Sequence, residues 1–432
     1  MASRPLLGRK VVIVDGARTP FLRSGTGFGQ SMAYELGAMA VSGLLHKTGL
    51  DPALVDRLIM GTVIAEPRTS NLAREIVLAA GLPQSCPAYT VTAACTSANV
   101  AISNAVEAIA IGAADVVIAG GAELLSDVPI RLSRPVRQRL MAAQKARGPA
   151  DYAKLAVGLK PADLALDTPA IAEFSTGLTM GENAERMAKR FGVSREAQDE
   201  FAMQSHHRAA KATETGLLRD QIVPALVPPS FTPIESDNGI RPDTSLEKLA
   251  KLPPVYDRRF GTVTAGNASF LTDGAAVTLL MSEEKARELG YEPLATVVAS
   301  AFVSMDPMDE LLLGPAFAIP KALAQAGITL DQLDVIELHE AFAAQMLANM
   351  VAMNDPDFCR ERLGLEQPLG QIDRDKLNAW GGSLAIGHPF GATGSRLVTT
   401  ACQRLKHEGG RYGLVAACAA GALGAAMIFE RA

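Results

Sequence analysis

The chain repeats itself, and that repetition limits its fold more than any single motif does. LLHKTGLDPALVDRLIMG, ending at Gly61, and ALAQAGITLDQLDVIELH, ending at His339, each read as the end of an amphipathic helix, a Gly-containing break, an acidic turn and an apolar strand. Gly49 and Gly327 fall in register, as do Asp56 and Asp334. A second pair, SANVAISNAVEAIAIGAADVVIAGGA and GSRLVTTACQRLKHEGGRYGLVAACAA, reads as a helix, a glycine and a short buried strand ending in small residues. The distance between the pairs differs in the two halves, which loops of unequal length accommodate. Two similar halves of alternating strand and helix predict a layered α/β fold with buried, largely parallel sheets.

From Leu125 to Ala250 the texture changes to polar helices and proline-rich loops such as VPPSFTP and LPPVYD, which marks an inserted lobe. The division expected is a first half of residues 1–124 and 251–292, a lobe of 125–250 and a second half of 293–432. Within the lobe Ser194 is a helix N-cap and Glu196 favours the helix dipole, but Ala197 leaves the capping box incomplete. Arg131, Arg134, Arg137, Arg139, Lys145 and Arg147 form a basic run with no acidic residue among them. That run is either a solvated helix face or a docking surface for phosphates, an acidic partner or anionic lipid.

Composition narrows the function. Hydrophobic residues at 48% and charged residues at 20% are those of a soluble globular protein, and 432 residues are enough for two or three units with a cleft between them. A net charge of -5 removes the electrostatic drive for nucleic-acid binding. Five cysteines without a CxxC pair fit neither a disulfide framework nor a zinc site, so a reducing cytoplasm is expected. The opening MASRPLLGR is too short for a signal peptide's apolar region, and any transit segment is expected to be absent or already removed. Tyr412 to Phe429 is uncharged and of membrane-spanning length, but its Ala and Gly content reads as two buried strands around a glycine turn.

Four residues stand where strands give way to helices, the rim at which such sheets bind ligands. Cys95, in YTVTAACTSANVAI, meets a helix start whose field lowers a thiol pKa; alone it reads either as packing or as a nucleophile. His388, in NAWGGSLAIGHPFGATGSR, sits in a loop whose glycines let backbone approach a ligand, and is either a base or a structural histidine. His339 and Glu340 follow an apolar strand in VIELHEAFAAQ, where Ala343 rules out the HExxH zinc pair. Cys418, in LVAACAAGALGAAM, ends a buried run. Two cysteines and two histidines without chelating spacing suggest thiol chemistry with proton transfer rather than a metal site.

ARTPF, the Cys95 segment, GGAELLSD, MGENAE, VTAGNASFLTDGAA, HEAFA, NAWGGSLAIGHPFGATG and the Cys418 segment together resemble the thiolases, in that order and from end to end. SDVPIR, EFSTGLTMG, LLLGP and AACAAGALG more narrowly resemble the β subunit of the fatty-acid oxidation trifunctional complex and its bacterial counterpart. The resemblance implies a duplicated α/β fold with mixed sheets, and CoA-dependent cleavage of 3-ketoacyl-CoA in β-oxidation. Cys95 would carry the acyl group, His388 would activate it, and Cys418 would protonate the departing acetyl-CoA carbanion, a transfer suited to a thiol near the working pH. His388 and a water held by His339 would form one oxyanion hole, and the backbone NH groups of Cys95 and Ala420 the other. Ser269 and Met180 match pantetheine-channel positions, Phe342 belongs to the same substrate surface, and the lobe would hold the nucleotide end of CoA. No cofactor or metal is implied, CoA being a substrate.

The chain departs from the common thiolase pattern at three places. His339 stands where many thiolases have Asn, although the β-subunit branch shares the His. Ala420 replaces a Gly of CxGGG, and the nucleophile segment reads TAACTSAN. The branch also implies a homodimer, an α2β2 complex with a hydratase/3-hydroxyacyl-CoA dehydrogenase α subunit, and peripheral membrane contact through residues 131–147. Competing readings are a biosynthetic acetoacetyl-CoA-type condensing thiolase, a ketoacyl synthase with His or Asn in place of Cys418, and a non-catalytic acyl-CoA binding protein that needs none of these groups.

Overall fold

The repeat seen in the sequence is built from the same hydrogen bonds twice. Asp56 Oδ2 accepts from the backbone NH groups of Asp115 and Val116, and Asp334 Oδ2 accepts from those of Arg411 and Tyr412. Each aspartate thereby locks the start of one parallel strand to the next. Gly49 and Gly327 both end helices in the left-handed conformation, at φ 66° and 69°.

The computed structural model describes residues 8–169 and 172–432. Strands β1 (Val11–Arg18), β2 (Arg57–Gly61), β3 (Ala88–Val91), β4 (Val116–Glu123) and β5 (Thr272–Ser282) belong to the first half. Strands β6 (Ala295–Ser304), β7 (Val335–Leu338), β8 (Tyr412–Ala419) and β9 (Leu423–Arg431) belong to the second. They run in the order β7-β8-β9-β6-β1-β5-β4-β2-β3, with the short strand Leu22–Arg23 beside the start of β5. The half-sheets correspond strand for strand, and the partner of β3 in the second half is reduced to a single parallel bridge between Ile336 and Leu377. They meet where β1 pairs with β6 through Val12–Thr296 and Ile13–Ala295.

The sheet is mixed rather than largely parallel. β4, β2 and β3 are parallel, as are β7 and β8, but every pairing between β4 and β8 through the centre is antiparallel. One of these pairings is local, since Tyr412 to Phe429 is a pair of buried strands joined by a tight turn and a hairpin makes antiparallel neighbours; the other four join strands distant in sequence.

Helices α1 (Ala33–Thr48), α2 (Ser97–Ala110), α3 (Arg134–Ala143), α4 (Met180–Arg190), α5 (Arg195–Glu214), α6 (Gly314–Ala326), α7 (Ala343–Asn354) and α8 (Thr393–Glu408) complete the layers. α2 and α8 share one apolar core with both half-sheets, including Ile13, Ile59, Ile102, Leu280, Leu397 and Val415. α1 covers the outer face of the first half, and α6 and α7 that of the second. With both faces covered, all of β5 is buried.

The lobe is pinned to the sheet by a buried bidentate pair, Arg18 to Asp237, at 2.7 and 2.8 Å. Ser194 caps α5 by accepting from Ala197 NH, and Thr179 with Glu182 forms a full capping box on α4 that the sequence reading did not single out. In the basic run, Arg137 pairs with Asp167 and donates to Leu132 O, while Arg139 donates to Leu155 O and Val157 O. These two arginines hold the lobe together, which leaves Arg131, Arg134, Lys145 and Arg147 as the exposed cations of the run.

Close backbone packing makes a prediction. A Cβ on Gly121 would lie 1.9 Å from Gly391 O and 2.7 Å from Gly61 O, both backbone atoms. Gly121→Ala should cost about 3 kcal/mol and most of the activity, because it forces the His388 loop away from β4. Gly148→Ala, where a Cβ meets nothing within 4 Å, should change stability by less than about 0.5 kcal/mol. Chemical denaturation of the two variants checks both.

Candidate active site

Cys95 follows β3 in a turn that the chain holds tightly. Ala94 adopts φ 47°, Ala93 NH donates to Ser97 Oγ at 2.8 Å, and the Thr96 and Ser97 hydroxyls donate to Ala93 O and Ala94 O. A non-glycine residue at positive φ is a strained position, and here it directs the next side chain into the site. His339 follows β7, its NH donating to Ala416 O of β8, while Cys418 lies near the end of β8. His388 is held in its glycine-rich loop by Thr272 Oγ1, which accepts its backbone NH at 2.9 Å.

These elements converge. The Cys95 sulfur and a ring nitrogen from each of His339 and His388 lie within 4.8 Å of one another, and the two imidazole centroids are 4.0 Å apart. Among the described residues these three form the one group with three clustered metal-ligating atoms, a soft set that zinc would accept. The cysteine is half-buried and both histidines are buried. Cys418 is close enough for a charge on Cys95 to raise its pKa.

The role of His388 follows from its hydrogen bonds. Nδ1 lies 2.6 Å from Thr393 Oγ1, whose own hydrogen goes to Pro389 O at 3.0 Å. With that hydrogen on Pro389 O, Nδ1 donates to Thr393 and Nε2, which has no partner among the described residues, carries a lone pair. That is the state a general base needs.

Burial dominates the electrostatics. It pushes the Cys95 thiol up to about 12, against the backbone NH groups of Ala420 and Cys95 itself, while buried Glu123 adds to the rise. The lowering expected from the α2 terminus is thus outweighed by desolvation. Burial also raises Cys418, so it is not a thiol titrating near the working pH. His339 is driven down to about 3 by burial and then by Arg396, and His388 falls well below its usual value from burial, His339 and Arg396. The thiols and imidazoles of the resting site are neutral, so the thiol must lose its proton as it attacks.

Several contributors escaped the sequence reading. Buried Glu123 accepts from Val63, Ile64 and Gly391 NH groups and from Thr62 Oγ1, and burial raises it to about 7. Its only sequence signal is its place in GGAELLSD. Ser383 and Arg396 both lie within the glycine-rich segment NAWGGSLAIGHPFGATGSR, where nothing but their tertiary contacts marks them. Glu340 accepts from Ser205 Oγ, Asn378 Nδ2 and Leu384 NH, tying α5 to the loop that carries His388.

Around this centre, Ser269 NH donates to Ala341 O, and Phe342 meets Tyr256 edge to face at 6.4 Å. Tyr256 packs over Gly181, next to Met180 at the start of α4. The three residues expected at a substrate channel thus belong to segments that adjoin the catalytic strands. Two clefts of about 990 and 490 Å³, one against α1 and one lined by Gly25 and Ile234, are not lined by Cys95, His339, His388 or Cys418.

A neutral Cys–His pair with backbone donors aimed at the sulfur, on a duplicated α/β scaffold, defines an acyl-transferring enzyme that works through cysteine. The chain belongs to the thiolase family: it matches "Thiolase, N-terminal domain" over residues 11–284 and "Thiolase, C-terminal domain" over 291–431. It is 51% identical over 422 residues to the mitochondrial trifunctional enzyme subunit beta of Homo sapiens, covering 98% of this chain and 88% of that protein. It is 48% identical over 423 residues to a 3-ketoacyl-CoA thiolase of Serratia proteamaculans, covering 98% and 97%. The solved structure of human mitochondrial 3-ketoacyl-CoA thiolase in complex with CoA superposes at a TM-score of 0.84 with 32% identity, across the whole of both chains.

The depressed pKa of His339 gives a measurable linkage. Below pH 6.5 the unfolded chain protonates this imidazole, whereas the folded protein does not until about pH 3, so His339 erodes stability as pH falls. His339→Asn should therefore gain about 2 kcal/mol relative to wild type between pH 7 and pH 5. Denaturation midpoints at the two pH values measure the difference.

Proposed function

We propose that this protein cleaves 3-ketoacyl-CoA to acetyl-CoA and an acyl-CoA shortened by two carbons. The observation that carries this reading is the buried His388 ring, its Nε2 without a partner among the described residues, clustered with a Cys95 sulfur that faces the Ala420 and Cys95 NH groups. Cys95 gives its proton to His388 as its sulfur bonds to the 3-keto carbon. The C2–C3 bond then breaks, its electron pair leaves as the acetyl-CoA enolate, and Cys418 supplies the proton at C2. Coenzyme A then gives its thiol proton to the Cys418 thiolate as its sulfur attacks the acyl-Cys95 thioester, and the departing Cys95 thiolate takes back the proton held by His388.

His388, once protonated, and His339 face the oxygen formed in the carbon–carbon step, while the NH groups of Cys95 and Ala420 face the thioester oxygen. A buried imidazolium is unstable here, so the proton that His388 takes is readily returned. Ser269, Met180 and Phe342 line the approach for pantetheine and acyl chain, and the 125–250 lobe receives the nucleotide end. Likeness to the trifunctional β subunit and to bacterial 3-ketoacyl-CoA thiolase supports the degradative direction over condensation. Five free cysteines fit a reducing compartment such as the cytoplasm.

The same likeness supports a dimer that joins a hydratase/3-hydroxyacyl-CoA dehydrogenase α subunit in an α2β2 assembly. No helix among the described residues is long and apolar enough to cross a membrane. Ile130, Leu132, Leu140 and Met141 are exposed among Arg131, Arg134, Lys145 and Arg147, an arrangement suited to peripheral contact with anionic lipid. Arg131→Glu with Arg134→Glu should weaken sedimentation with anionic vesicles at least tenfold and leave thiolysis unchanged. Unaltered sedimentation would remove the membrane reading.

The central test is CoA-dependent loss of 3-ketoacyl-CoA across a chain-length series. Cys95→Ala and Cys418→Ala should each lower kcat at least 1,000-fold. Mass spectrometry of the wild type with substrate should find an acyl adduct on Cys95. Substrate binding without turnover or adduct in folded wild-type protein would return the reading to an acyl-CoA binding protein.

A further inference from the structure

His339 presents a question that His388 does not, because an imidazole can offer either a lone pair or an N–H from Nε2. Ser383 stands at the start of the short helical turn Ser383–Ile386 and is fully buried. Its hydroxyl lies between two groups: Arg396 Nη2 on α8 and His339 Nδ1, each at 3.0 Å. A guanidinium can only donate, so Arg396 occupies a lone pair of the oxygen. The hydroxyl's own hydrogen then has one acceptor within reach among the described residues, His339 Nδ1.

We propose that Arg396 and Ser383 are positioning residues that fix His339 as its Nε2–H tautomer, so that it presents a hydrogen-bond donor to the substrate's oxygen. His339 Nε2 is buried and has no partner among the described residues, as expected of a donor reserved for a ligand. The two neighbouring imidazoles are then set oppositely: Thr393 leaves a lone pair on His388 Nε2, and Ser383 leaves a hydrogen on His339 Nε2. One is a base and the other an oxyanion donor, and an exchange of roles would leave the buried Ser383 hydrogen without an acceptor and take the Thr393 hydrogen from Pro389 O. An N–H at this position also makes His339 a poor metal ligand, despite its place in the three-residue cluster.

Arg396 acts twice. Besides directing the Ser383 hydroxyl, its charge opposes protonation of both imidazoles. Its nearest carboxylate, Glu337, is 3.8 Å away and is held more closely by Arg404 at 2.8 Å, so the guanidinium is not neutralised by a tight pair. An asparagine amide at this position would keep its N–H in every state and have no tautomer to select. A histidine at this position does.

That contrast supplies the test. Ser383→Ala in the otherwise unaltered protein should lower kcat for thiolysis about tenfold with KM within twofold. In a His339→Asn background the same substitution should change kcat less than twofold, because the amide has no tautomer to select. Equal loss in both backgrounds would make Ser383 a merely structural residue, and no loss in either would make its hydroxyl irrelevant; both outcomes overturn the proposal. The kinetic arm rests on the thiolase reading. Nitrogen chemical shifts of histidine-labelled free protein, with His339 assigned by its loss in His339→Asn, do not: a protonated Nε2 is expected in the wild type, and a protonated Nδ1 overturns the relay even in an inactive protein.

Discussion

A buried carboxylate joins the half that carries Cys95 to the loop that carries His388. Glu123 ends β4, and its two oxygens receive NH groups from Val63 and Ile64 on one side and Gly391 on the other, with Thr62 Oγ1 adding a fourth contact. Each donor offsets part of the cost of removing a carboxylate from water, and burial still raises its pKa to about 7. The glycines around it are required by the same approach: Gly61, Gly121 and Gly391 bring three backbones so close that a Cβ on any of them would meet another main chain. The duplicated halves could bury their cores separately, but the catalytic pair comes from both and exists only where this junction closes.

Closure sets the chemistry as well as the geometry. With solvent removed, no group at the centre holds a charge easily: both thiols are raised and both imidazoles lowered. Arg396 is the nearby permanent charge, and Glu337, its partner at 3.8 Å, is held more closely by Arg404, which also pairs with Glu408. A site of this kind cannot store a thiolate and an imidazolium between turnovers. It moves a proton only as substrate carbon supplies the compensating bond, which protects the nucleophile from the side reactions of an exposed thiolate.

Much of this was legible in the sequence because it depends on neighbours along the chain. Gly49 and Gly327 end helices, Asp56 and Asp334 stand just before strands, Cys95 and His339 follow strands and Cys418 lies near the end of one, so local pattern located them. The antiparallel centre was less visible, since apolar runs such as β5 and β9 are alike whichever way their neighbours run. Glu123, Ser383 and Arg396 were not legible as site residues because their partners lie far away in sequence: Glu123 is 268 positions from Gly391, and Ser383 is 44 from His339. The pKa of Cys95 was misjudged for the same reason. A helix start is a local feature that lowers it, whereas the burial that wins is a property of the assembled fold.

The turn after Cys418 shows how far the chain can depart from a common pattern without losing its geometry. In CAAGALG the left-handed positions are Gly421, at φ 79°, and Ala422, at φ 53°. Position 420 does not adopt a positive φ, so alanine there carries no backbone penalty and leaves its NH directed at the Cys95 sulfur. Gly421 is needed for conformation, and its NH is bound by Glu173 of the lobe at 2.6 Å. The strain falls instead on Ala422, which is fully buried and whose carbonyl accepts from Met305 NH. What this site requires of the glycine-rich turn is therefore a direction for one NH group and a left-handed bend just beyond it, and glycine is indispensable only where the bend begins.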